Sequence, residues 1–168
     1  MKRREASATE RITDMPLTVA QVLAAKPDGG GTVHTIGRDR TVLDALTLMA
    51  AKGIGALVVM AEGQIAGIVT ERDYARKVEL HRRSAATTRV EEIMTAKVRY
   101  VEPTQSADEC MALMTEHRMR HLPVLDAGRL SGIISIGDLL KQQLADQQFT
   151  IDQLEHYIHG APSSAPPY

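Results

Sequence analysis

The chain has no tryptophan, one phenylalanine and four tyrosines in 168 residues. Its core is therefore predicted to be aliphatic and methionine-rich. The aromatic platforms that stack single-stranded nucleic acid are mostly missing. Cys110 is the only cysteine, which excludes an intramolecular disulfide and agrees with a reducing, cytoplasmic setting. Residues Met1 to Glu10 are charged and polar and carry no apolar run, so no secretory signal is visible. No stretch approaches the roughly 18 consecutive apolar residues that a membrane span needs. The net charge is only −1, so there is no electrostatic reason to expect nucleic acid or an anionic membrane as the partner. GxSxG, P-loop and GxGxxG patterns are all missing. The triple glycine at 29–31 does not lie between a strand and a helix and reads as a loop. What remains is an ordinary globular composition, 43% hydrophobic and 24% charged, sized for one compact domain or two small repeats.

The chain contains an internal repeat. Thr41 to Asp73 matches Ser106 to Asp138 without gaps, so that Gly63 pairs with Gly128, Gly67 with Gly132 and Asp73 with Asp138, each 65 residues apart. Val42, Ala45, Leu46 and Met49 have helical spacing, and Ala107, Cys110, Met111 and Met114 repeat it. Thr41 with Asp44, and Ser106 with Glu109, resemble capping boxes. Short apolar runs follow, Ala56 to Met60 and Leu122 to Leu125, which read as buried strands. Turns at Gly63 and Gly128 lead to second strands near Ile65 to Thr70 and Leu130 to Ser135, then to helices starting near Glu71 and Ile136. Earlier extended pieces, Thr32 to Ile36 and Val98 to Val101, complete a β-α-β-β-α unit. One unit alone would bury its sheet poorly. Two packed sheet to sheet would share a core about a pseudo-twofold axis, an α+β fold.

The other segments fit around this unit. Thr18 to Lys26 is predicted to be a short helix, ended by Pro27 and the glycine loop. Thr88 and Glu91 are predicted to cap a short helix ending near Met94. Asp138 to Ile158 reads as a long helix whose Leu140, Leu144, Ile151, Leu154 and Ile158 keep one face apolar. That face suits a dimer coiled coil, a lid or an output surface. The Pro- and Ser-rich end, 160–168, reads as a disordered tail.

The stretches GIVTERD (67–73) and GIISIGD (132–138), each after an apolar strand and a hairpin, resemble the CBS-domain family. HRMRHLPVLD (117–126) is similar to that family's lead-in to its second strand, and IMT (93–95) to the entry of a second motif. The resemblance covers about residues 17 to 142 and divides the chain as follows. A flexible N-terminus (1–16) precedes a first motif (17–83), a linker (84–89) and a second motif (90–142). A helical extension (143–159) and the tail then follow. It implies a Bateman module with two pseudo-symmetric clefts for AMP, ADP, ATP, NAD or S-adenosylmethionine. It also implies a homodimer, an effector protein as partner, and regulation without chemistry.

The residue pattern suits a nucleotide. Gly67 and Gly132 permit close backbone approach. Thr70 and Ser135 stand where a strand gives way to a helix, where a hydroxyl can cap the helix or reach a phosphate. Helix N-termini favour anions. Asp73 and Asp138, three residues on, can accept hydrogen bonds from both vicinal hydroxyls of a ribose. The bland alternative is that these four residues only cap helices. The resemblance assigns Asp to ribose and Thr/Ser to phosphate, with each cleft completed by the opposite motif. The Asp73 cleft would then face Arg120 and His121, with Arg72 as a further phosphate ligand. Arg118 belongs to the same loop, either as a ligand or as solvated surface. The Asp138 cleft would face Gly55 and Ala56 and be roomier and less charged, enough for a dinucleotide such as NAD. Adenine would be read near Val33 and Val98, with Thr95 as an edge contact.

Competing chemistry is thin. His117 and His121, and His156 and His159, have helical metal-ligand spacing, but no carboxylate or cysteine cluster clearly joins them. Cys110 falls on an apolar helix face and reads as core. No nucleophile–base pair supports an enzyme. The alternative to a nucleotide sensor is a structural homodimerisation adaptor with empty clefts.

Overall fold

A computed structural model describes residues 16–30 and 32–160. The expected flexible N-terminus and disordered tail lie, but for Pro16 and Gly160, outside the described residues. The first repeat comprises β1 (Thr35–Gly37), α2 (Val42–Lys52), β2 (Ala56–Ala61), β3 (Gln64–Thr70) and α3 (Glu71–Lys77), preceded by α1 (Val19–Ala24). The second comprises α4 (Ala107–Glu116), β4 (His121–Asp126), β5 (Arg129–Ser135) and α5 (Ile136–Gly160).

The 65-residue offset reaches into fine geometry. Each hairpin turns on two residues with positive φ, Glu62 and Gly63 in one repeat, Ala127 and Gly128 in the other. Those angles define the tight turn whose twist matches the flanking strands. Each hairpin also shifts register once, between Val59 and Met60 and between Val124 and Leu125. β1 runs parallel to β2, pairing Ile36 with Val59. In the second repeat the equivalent Val101 pairs with Val124. Here the expected strand Val98 to Val101 shrinks to that single bridge. Predicted extended backbone became an irregular approach because Val98 folds back onto Ala96 (N–H to O, 3.1 Å) instead of joining the sheet.

Two further expectations are corrected. The short helix before Met94 is a single 3-10 turn, Val90–Glu92, and its reciprocal bond is from the Arg89 N–H to Glu92 (2.8 Å), not from a Thr88–Glu91 box. Thr88 is buried, and its carbonyl accepts from the Val42 N–H instead. The expected shared core is divided into two clusters, each containing a segment from the other half of the chain. Val19, Val22 and Leu23 of α1 pack with Cys110, Met114, Leu122, Ile134 and Leu139. Val90 and Ile93 pack with Val42, Met49, Leu57 and Val69.

Backbone bonds fasten this exchange. Val19 N–H donates to Gln105 O (2.9 Å) and Ala107 N–H to Leu17 O (2.7 Å). Val42 N–H donates to Thr88 O and Val90 N–H to Arg40 O, both at 2.9 Å. Glycine makes room for both segments. A Cβ on Gly132 would lie 2.8 Å from both δ-carbons of Leu23, and one on Gly67 2.7 Å from Met94 Sδ and 2.9 Å from Thr95 O. The long C-terminal helix forms as expected and runs unbroken through Gly160. Leu139 anchors it in the cluster that contains α1, while Leu140, Leu144, Phe149, Ile151, Leu154 and Tyr157 are exposed.

Candidate functional site

Both capping boxes predicted at the strand-to-helix junctions form, with matching geometry. Thr70 donates from its N–H (3.0 Å) and hydroxyl (2.8 Å) to Asp73 Oδ2, and the Asp73 N–H returns to Thr70 Oγ1 (3.2 Å). Ser135 donates from its N–H (2.8 Å) and hydroxyl (2.9 Å) to Asp138 Oδ2, with the Asp138 N–H on Ser135 Oγ at 3.1 Å. The helix-cap role is therefore real at both positions. Each box also opens onto a cleft.

Each carboxylate additionally holds a lysine. Lys77, one turn along α3, lies 2.7 Å from Asp73 Oδ1 and donates to Ile93 O. Lys26, just after α1, lies 3.2 Å from Asp138 Oδ2 and donates to Ile133 O (2.8 Å). Burial works against the charged form of Asp138. The Ser135 N–H and hydroxyl and the Lys26 ammonium outweigh it and hold the carboxyl below its ordinary range.

The clefts are assembled across the repeats. The junction between β2 and its preceding loop is pinned by Glu71 N–H on Gly55 O (3.2 Å), and its counterpart by Ile136 N–H on Arg120 O (2.9 Å). The first cleft, about 450 Å³, brings Thr70, Arg72 and Asp73 together with Arg118, Arg120 and His121 of the second repeat, and with Thr95 and Val98. Arg72 Nη1 reaches Arg118 O at 3.5 Å. The second cleft, about 530 Å³, brings Ser135 and Asp138 to Gly55 and Ala56. Thr32 and His34 line it rather than Val33, as expected where extended backbone turns alternate side chains apart. Gly55 and His121 border both clefts. Burial, opposed by Asp138 and helped by Lys26 and Arg120, pushes the His121 imidazole below its ordinary value.

Sequence reasoning missed several cleft residues. Arg76, Lys97 and Arg99 also line the first cleft. Lys97 and Arg99 flank Val98, and Lys77 follows Asp73 by four, so those three were legible as spacing. Lys26 was not, because only the exchange of α1 carries it to Asp138. Both clefts have the size of small-molecule sites. Among the described residues no three His, Cys, Asp or Glu side chains gather as a metal site, and Cys110 is buried in the cluster that contains α1.

Comparison with known proteins agrees with this architecture. The family model of the CBS domain matches residues 32–80 and 90–145. The chain belongs to the CBS-domain family. It is an α+β tandem CBS pair with a C-terminal helix. A solved CBS-domain protein of Burkholderia ambifaria MC40-6, described as a signal-transduction protein, is 72% identical with a TM-score of 0.76, covering 80% of this chain and 98% of its own. The mitochondrial CBS domain-containing protein CBSX3 of Arabidopsis thaliana is 36% identical over 149 residues, 85% of this chain and 72% of the relative. The CBS pair of protein MJ0100, solved with 5′-methylthioadenosine and S-adenosylmethionine, is 22% identical with a TM-score of 0.66, covering 78% and 98%, and shares the fold. No helix among the described residues is long and apolar enough to cross a membrane.

Proposed function

We propose that this CBS pair is a non-catalytic sensor that binds adenine nucleotides in its two clefts and reports occupancy to a partner protein. The observation that carries this reading is the repeated junction, in which a Thr/Ser hydroxyl and a carboxylate lie in a cleft completed by the opposite repeat. Asp73 and Asp138 accept the ribose hydroxyls, displacing Lys77 and Lys26, and the freed ammonium groups turn to phosphate. Thr70 and Ser135 sit beside the phosphate, with Arg72, Arg118 and Arg120 around it in the first cleft. Val98 and the Thr32–His34 segment flank the adenine, and Thr95 meets its edge. AMP, ADP, ATP and NAD all offer the required ribose.

The signal requires that ligand affinity differ between two conformations. Gly55 and His121, which border both clefts, are where the two occupancies meet. The protein works as a homodimer in the cytoplasm, with the exposed face of α5 available to a second copy or an effector. The alternative, a dimerisation adaptor that leaves its clefts empty, shares this fold and differs only in ligand binding.

Calorimetric titration of nucleotide-free protein with AMP, ATP, NAD and S-adenosylmethionine separates the two. Saturable binding, weakened in Asp73→Ala and Asp138→Ala by about 1.5–3 kcal/mol per site as charged hydrogen bonds are lost, supports the sensor. No heat with any of the four favours the adaptor. Binding that is unchanged in both variants removes the ribose assignment.

A further inference from the structure

The two clefts share a backbone plan and differ in charge. Arg72, Arg76, Lys97, Arg99, Arg118 and Arg120 all face the first cleft. None of these six lies within 4.0 Å of a carboxylate among the described residues. The carboxylates facing them are Glu71 and Asp73, and Asp73 already holds Lys77. In the second cleft Lys26 is paired with Asp138, and Lys52 faces the same space as Asp28. Gly53, Gly55 and Ala56 stand there where the first cleft has Arg118, Arg120 and His121.

The backbone at Arg118 carries the argument further. Gly53 closes α2 with φ +63°, a left-handed position suited to glycine. Its equivalent 65 residues on, Arg118, holds φ +52° with a full side chain. A strained non-glycine residue at a ligand cleft, where the sister repeat uses glycine, places a guanidinium at the cost of local stability.

We propose that the first cleft is a polyphosphate site, taking a nucleoside di- or triphosphate, while the second takes an adenosine compound with at most one phosphate. The assignment rests on the nucleotide-sensor reading for its adenosine half and on the charge distribution for its phosphate half. Six cations without carboxylate partners in one concave site repel one another. A chain of phosphates relieves that repulsion, whereas a monoester meets only part of it. The chain would then compare two ligands by phosphate number, one in each cleft.

The test uses the full chain and its Arg118→Gly variant, titrated calorimetrically with tripolyphosphate, adenosine, AMP and ATP at low and high salt. The expected result is one tripolyphosphate per chain, weakened by salt because exposed charges are screened. ATP binds one cleft more tightly than AMP or adenosine does. Arg118→Gly melts at a higher temperature, loses about tenfold or more in ATP and tripolyphosphate affinity as a charge-assisted contact disappears, and keeps its adenosine affinity at the second cleft. ATP and adenosine binding equally well at both clefts would overturn the inference and leave the nucleotide reading standing. Tripolyphosphate binding without any nucleoside response would remove the adenosine half alone. Unaltered tripolyphosphate affinity in Arg118→Gly, checked against a Lys97→Ala, Arg99→Ala double variant that is also unaltered, would overturn the polyphosphate site.

Discussion

Gly67 and Gly132 occupy equivalent positions in the two repeats, yet adding one methyl group should affect them unequally. At Gly132 the new Cβ would meet the two δ-carbons of Leu23 at 2.8 Å. Carbon atoms rest at about 3.5–4.0 Å, so the leucine must withdraw by roughly 1 Å. It lies at the end of a short helix and can turn about its side-chain bonds. At Gly67 the Cβ would meet Met94 Sδ at 2.7 Å and Thr95 O at 2.9 Å. The thioether can swing aside, but the carbonyl cannot. It accepts from Ile68 N–H (3.0 Å) while Thr95 N–H donates to Ile68 O (2.9 Å).

Overpacking costs typically about 1–3 kcal/mol, and the lost freedom of the unfolded chain on Gly→Ala offsets about 0.4–1 kcal/mol. Gly132→Ala should therefore cost about 0.5 kcal/mol, and Gly67→Ala about 2 kcal/mol. With an assumed slope of about 2 kcal/mol per molar urea, the midpoints should fall by about 0.3 M and about 1 M. Urea unfolding at one fixed protein concentration reads both, which keeps any association equal across variants. Leu23→Ala should make Gly132→Ala harmless, because the space is then open. Met94→Ala should rescue Gly67→Ala only in part, because Thr95 O stays. Equal shifts at the two glycines, or the larger one at Gly132, would refute the reasoning from backbone against side chain.

Ala127 holds φ +48° at the first turn position of its hairpin. Ala127→Asn, which tolerates that region and completes an Asn-Gly turn with Gly128, should raise stability by about 0.5–1 kcal/mol in urea unfolding; no gain would mean that the turn is not held as described. Burial pushes the Cys110 thiol up to about 11, so native protein should react with a thiol reagent at pH 8 far more slowly than urea-unfolded protein. Equal rates would place Cys110 outside the core. Asp138 has a depressed carboxyl in the folded state, so its ionised form adds stability that is present above the ordinary carboxylate range and lost as pH falls through the folded value. Melting curves between pH 7 and 3 should show a shallower acid limb in Asp138→Asn, and superimposable limbs would contradict the hydrogen bonding to Ser135.

Much of the site was legible because it is made of local geometry. A hydroxyl and a carboxylate three residues apart at a strand end form a box from backbone directions alone. The chain carries that pattern at Thr70–Asp73 and Ser135–Asp138. The basic loop around Arg118 and Arg120 was legible by contrast with Gly53 and Gly55. The Val98 strand and the Thr88–Glu91 cap were misread for one reason. Extended propensity does not say whether a partner strand lies alongside, and the bond of a cap depends on where the chain goes next. Here Arg89 is fixed by an antiparallel bridge to Thr41, which moves the cap by one residue.

The sequence by itself determined the repeat, the hairpins and the capping boxes within each repeat, including the two that open onto the clefts, because these follow from spacing and from neighbours a few residues apart. The tertiary structure alone decided that α1 packs on the second repeat and the Val90–Ile93 turn on the first. Only packing between segments distant in the chain, about 85–120 residues for α1 and about 20–50 for the turn, can set such an exchange, since local spacing marks a face as apolar without saying which core it joins. That exchange brings Lys26 to Asp138 and neutralises the second cleft. The first cleft, where Asp73 draws its lysine from its own helix, keeps six cations without carboxylate partners among the described residues.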